Sequence, residues 1–89
     1  MAQIETMDFA GVVPVESANS PDALFELGLL YSTGCAVPMD LISAHKWFNL
    51  AAWKGCAEAA RLRKEVAELM TTDEIAEAQR AARAWMTLH

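Results

Sequence analysis

Two apolar stretches, each closed by a glycine, occupy residues 20–55 and restrict that part of the chain to a helical pair. The first opens on Ser20-Pro21-Asp22. Serine supplies an N-cap oxygen, proline suits the first helical position, and a first-turn carboxylate complements the positive end of the helix dipole. The run that follows stops at Gly34, a residue able to take the left-handed conformation at a helix C-terminus. After the short link Cys35-Ala36-Val37, a second helix is expected from about Pro38 to Lys54, with Gly55 behind it. A link this short makes the two helices antiparallel.

The remainder is helical by its own signals. From about Ala57 to Met70, the residues Ala59, Leu62, Val66 and Leu69 fall on one face, with Glu58, Arg61, Lys64, Glu65 and Glu68 around the rest. Thr71 and Glu74 have the spacing of a capping box, and the helix after them puts Ile75, Ala78, Ala82 and Trp85 on one side. Ahead of all this, Gly11 and Pro14 disfavour helix in residues 1–19. The expected fold is therefore all-α: two stacked antiparallel αα-hairpins with an extended N-terminal arm. Its divisions are the arm at 1–19, a first pair at 20–55 and a second pair at 56–89. At 89 residues this is one domain.

The densest pattern runs through the first pair: Ala23, Leu27-Gly28, Tyr31, Gly34, Val37, Asp40, Ala44, Trp47-Phe48, Ala51-Ala52 and Gly55. In order and spacing it resembles the Sel1-like repeat, a relative of the tetratricopeptide repeat. The match has a physical basis. Gly28 permits close approach of the two helices, Tyr31 and Trp47 are expected to fill the wedge between them, and Ala51-Ala52 allow tight packing at the far end. Asp40 is expected in the first turn of the second helix. A second unit begins at Gly55-Cys56-Ala57 and then departs from the pattern, as a polar C-terminal cap of a right-handed helical solenoid would. The resemblance implies a protein-binding scaffold with no catalytic constellation of its own.

Charge and composition narrow the function classes. Twelve Asp+Glu against seven Lys+Arg give a net charge of −5, and the basic residues are interleaved with glutamates. A phosphate-binding stripe is not expected, so nucleic acid is disfavoured as a partner. No apolar run reaches the length of a membrane span, and Glu5 and Asp8 interrupt the place of a secretory core. Cytoplasmic residence with reduced thiols is the expectation. Cys35 and Cys56 lie at opposite ends of a helix of about 17 residues, roughly 25 Å, too far for a disulfide. His45 lacks a ligand partner at helical spacing and reads as a surface histidine, so no metal or other cofactor is expected. Ser43 and His45, two apart on a helix, point in different directions, and Glu65 and Glu68 are explained by pairing with Arg61 or Lys64. No enzyme is expected.

Apolar residues left over by the pattern suggest docking surfaces. On a helical projection of the first helix, Ala23, Leu27, Leu30 and Tyr31 face the second, which sets Phe25 and Leu29 on the opposite arc. On the second helix, Ile42, Leu50 and Trp53, with Lys46 among them, lie away from the arc of Leu41, Ala44, Trp47, Phe48, Ala51 and Ala52. Three occupants are open for these surfaces: the N-terminal arm, through Ile4, Met7, Phe9 and Val12; a second copy of the chain; or a different protein. Trp53 either packs on the third or fourth helix or is an exposed anchor. The leading expectation is a small adaptor or accessory subunit that binds a larger protein through Phe25, Leu29, Ile42, Lys46, Leu50 and Trp53. The alternatives are a homodimeric regulatory module and, more remotely, a small hydrolase or ligand-binding protein.

Overall fold

The computed structural model describes residues 20–88, so the expectation of an extended arm at 1–19 lies outside the described residues. Four helices follow in order: α1 (Pro21–Thr33), α2 (Leu41–Trp53), α3 (Ala57–Ala67) and α4 (Thr72–Leu88), with no strand among the described residues.

The helix ends are set by local hydrogen bonds. Ser20 Oγ accepts from the Ala23 N–H at 3.1 Å, and Gly34, at φ 73°, donates its N–H to the Leu30 carbonyl at 3.0 Å. The start of α2 differs from expectation by three residues. Asp40 is the N-cap, not a first-turn residue: its carboxylate accepts from the Ser43 N–H at 3.2 Å and from the Ser43 hydroxyl at 2.9 Å. The Asp40 N–H donates to the Tyr31 carbonyl at 3.0 Å, which ties the link back to α1 and keeps Pro38 and Met39 out of the helix. The capping box forms as its spacing predicts, with Thr71 N–H on Glu74 Oε1 at 2.9 Å and Glu74 N–H on Thr71 Oγ1 at 3.1 Å.

α3 stops three residues before Met70. The Leu69 N–H bonds to Val66 and the Met70 N–H to Ala67, a tighter i→i−3 pattern that breaks the helical spacing. Leu69 therefore leaves the face it was expected to share with Val66 and stands 73% exposed.

Packing centres on α2. α1 lies along it, α3 and α4 each lie against it, and α3 and α4 share no interface of comparable extent. The first hairpin is present; the second pair does not close on itself as a hairpin, because α4 takes its contacts from α2. The core is built from Leu24, Ala44, Phe48, Leu50, Ala51, Ala59, Val66 and Ala82. Four of these eight are alanines, so the helices meet closely with little side chain between them.

The contact between α1 and α2 corrects the helical projection. A Cβ placed on Gly28 would come within 2.4 Å of Phe48 Cδ1 and 2.9 Å of its Cγ, so the Phe48 ring occupies the space that a side chain on α1 would fill. With Gly28 at the closest approach, Leu24 is fully buried, Phe25 tilts against Phe48 at 5.8 Å between ring centroids, and Leu29 packs on the core. The inward arc of α1 is thus rotated by on the order of 100° from the expected one. Phe25 and Leu29, together with the Tyr31 expected there, pack against the core cluster, whereas Ala23, Leu27 and Leu30 are half-buried outside it. Trp47 also moves: its indole meets Trp85 of α4 edge-on, 5.7 Å apart at 83°, and Phe48 fills the wedge assigned to it.

Gly28→Ala tests this seam. In an ordinary helix the change gains about 1 kcal/mol from propensity. Here the new methyl meets the root of a buried ring, and we expect a net loss of about 1–3 kcal/mol. The urea midpoint of Gly28→Ala should fall, and Phe48→Leu in the same chain should recover part of the loss; a midpoint at or above wild type would contradict the close approach.

Candidate interaction surface

Along α2, the residues Ile42, Lys46, Asn49 and Trp53 recur at spacings of four, three and four, which sets them on one side of the helix. Neighbours on both flanks locate that side. From α3, Arg63 Nη1 donates to Asn49 Oδ1 at 2.6 Å. From α4, Gln79, Ala82, Arg83 and Met86 join Asn49, Leu50 and Trp53 in an open groove of about 470 Å³. The stripe therefore runs between α3 and α4, where those two helices fail to meet.

Each residue expected on the surface now has a place. Trp53 is 68% exposed and borders both this groove and a smaller one of about 120 Å³ lined by Lys54, Trp85 and Met86. Leu50 is 1% exposed: it is the floor of the groove, not part of an outer face, because α4 covers it. Lys46 is half-buried with its ammonium 4.0 Å from the centre of the Trp47 ring. Burial lowers its pKa, and nearby Asp40 acts in the opposite direction. Ile42 lies at the other end of α2, in a groove of about 510 Å³ shared with Met39, Asp40, Leu69 and Glu74. Phe25 and Leu29 are turned toward the core, although Leu29 also borders a groove of about 270 Å³ with Phe48, Leu62 and Leu69. The structure thus brings Leu50 and Trp53 together, places Lys46 and Ile42 along the same helix, and separates Phe25 and Leu29 from them.

Two features were missed in the sequence. Met39 and Leu69 are exposed at 63% and 73%, an apolar patch that depends on the late start of α2 and the early end of α3. The Asn49–Arg63 bond joins residues 14 apart, a separation that no single-helix spacing predicts.

His45 is not a surface residue. It is 4% exposed, and its Nδ1 is buried with no hydrogen-bond partner. Its pKa is lowered by burial first and by the Arg63 charge second. Among the described residues no group of three His, Cys, Asp or Glu is placed to hold a metal ion. Cys35 is exposed, Cys56 is half-buried, and both are free thiols. Arg61 on α3 pairs with Glu58 and with Glu65, the latter at 2.8 Å; the Arg61 hydrogen bond lowers the Glu58 pKa. No described helix is long and apolar enough to cross a membrane.

No protein-family model, curated protein or solved structure matches the chain. The Sel1-like resemblance rests on its residue pattern.

The neutral, buried His45 makes stability depend on pH in a defined window. The unfolded chain takes up a proton near the usual histidine value of 6.5, whereas the folded chain resists it to lower pH. The unfolded state then binds more protons, so stability is complete above about pH 6.5 and is lost as pH falls below it. Urea midpoints recorded between pH 7.5 and about 5, above the carboxylate range, should decline for wild type and change less for His45→Leu. Parallel declines would assign the effect to other groups.

Proposed function

We propose that the chain is a protein–protein interaction module, a small adaptor or accessory subunit of the cytoplasm, and a binding protein rather than an enzyme. Its docking surface is the outer stripe of α2, Ile42, Lys46 and Trp53, with Leu50 as the floor beneath. The Sel1-like pattern of residues 23–55 supports the reading, since helical repeats of that kind stack into scaffolds, and residues 56–89 serve in it as a cap on such a stack. Phe25 and Leu29 contribute indirectly, by holding α1 against α2.

The observation that carries the proposal is the exposure of Trp53. Covering a tryptophan removes roughly 150–250 Å² from water, worth several kcal/mol at about 25 cal/mol per Å². An indole left 68% exposed beside a groove is a surface with that gain still unrealised. Tryptophan is also among the residues that most often dominate binding at interfaces.

Trp53→Ala should therefore weaken partner binding by roughly tenfold or more while leaving helical content and thermal midpoint close to wild type. The comparison is a native-host pull-down with wild-type and variant baits, matched by circular dichroism. A wild-type chain that is a monodisperse monomer and retains no stoichiometric protein would count against the module; a variant that loses its helices would return Trp53 to the core.

A further inference from the structure

The grooves of this protein differ in charge, and the difference specifies a partner. The chain carries a net charge of −5, yet among the described residues the charged ones lining the two Trp53 grooves are Lys54 and Arg83. No ion pair to a described residue occupies either one, in contrast with Arg61, which is held by two glutamates. The grooves at the far end of α2 and α3 are lined by acidic charge alone, Asp40 and Glu74 in one and Glu65 in the other. Those carboxylates are already engaged: Asp40 caps α2, Glu74 caps α4, and Glu65 pairs with Arg61. A groove-to-groove contact between two copies therefore gives Lys54 and Arg83 no uncommitted carboxylate, and two copies of net charge −5 repel each other overall.

We propose that the two grooves sharing Trp53 and Met86 bind an acidic, amphipathic segment of another protein: a bulky apolar side chain laid against Trp53 and Met86 over Leu50, with flanking carboxylates on Arg83 of the larger groove and Lys54 of the smaller. This deepens the docking reading and rests on it. The apolar contact supplies most of the affinity, because exposed ion pairs contribute little. The two cations supply discrimination: a basic segment of equal apolarity meets like charge at both rims.

The test is a random peptide library displayed on phage, panned against the full chain, with the enriched peptides resynthesised and measured by fluorescence anisotropy. The expected enrichment is Asp and Glu around one Trp, Phe or Leu. Affinity should fall roughly tenfold or more with Trp53→Ala, fall with Arg83→Glu, and weaken as salt is raised. Arg83→Glu should also shift a second panning toward basic peptides. Because Arg83 and Trp53 are exposed, both variants are expected to keep wild-type helicity, checked by circular dichroism. Enrichment of basic or uncharged peptides, or acidic binders indifferent to Trp53→Ala, would overturn this inference and leave a docking module with another site. No enrichment at all would count against the inference and the docking reading together. Enriched sequences that reproduce Ile4-Glu5-Thr6-Met7-Asp8-Phe9, or a wild-type dimer that Trp53→Ala makes monomeric, would give the groove to this chain itself and overturn the foreign partner.

Discussion

The Phe48 ring lying over Gly28 is the contact on which the rest of the packing depends. Helix axes in close contact lie about 8–10 Å apart, with side chains setting the spacing. Here one helix gives up its side chain altogether and the other fills the space with a phenyl ring. That single choice fixes the rotation of α1, because Leu24, Phe25 and Leu29 flank Gly28 and must follow it inward. It also releases Trp47 from the α1 seam. Phe48 already fills the wedge, so the indole one residue earlier points away from α1 and finds Trp85 on α4.

With α1, α3 and α4 all laid on it, α2 is buried over most of its circumference. Ala44, His45, Phe48, Leu50 and Ala51 point in several directions from one helix, and all are covered. Such a hub helix carries a cost. His45, near enough to Arg63 of α3 to feel its charge, is buried with an unpartnered Nδ1, and a buried polar atom left without a hydrogen bond costs roughly 1–3 kcal/mol. Its neighbour toward Arg63 is better served: Asn49 accepts a hydrogen bond from the guanidinium. The seam between α2 and α3 thus holds both a satisfied and an unsatisfied polar residue one helical turn apart. Beside that seam runs the stripe through which the protein is proposed to bind.

How much of this was legible in the sequence follows from the range of each interaction. Ser20, Gly34, Thr71 and Glu74 act within three or four residues, and the chain announces them in order. Gly28 was legible as a point of close approach, since only a missing side chain explains a glycine inside an apolar helix. What that glycine does to its own helix was not, because the projection was centred on Leu27 and Tyr31 and nothing local says which neighbours rotate inward. Leu50 and His45 failed for a related reason. Both are covered by α4 or α3, and the path of those helices is set by the turns at Gly55 and Leu69, not by any periodicity in α2. Pro38 is a good opening residue in isolation and would put Asp40 three positions deeper than the N-cap it occupies, whereas the Asp40 N–H is engaged by Tyr31.

The two tryptophans of α2 show why an exposed aromatic here is a matter of direction, not of scarcity. Trp47 and Trp53 are six residues apart, which on a helix turns them well away from each other. α4 brings a single large ring to this region, Trp85, and one indole edge can meet only one face closely. Trp47 takes that contact at 83°. Trp53 borders the same Trp85 and Met86, but across a groove instead of in contact within the core. Leu50 and Ala82 of the larger groove are each 1% exposed, so the contact between α2 and α4 is closed beneath the indole and leaves Trp53 outside it. A partner that covers the indole brings its own apolar atoms to the groove and leaves that contact as it is.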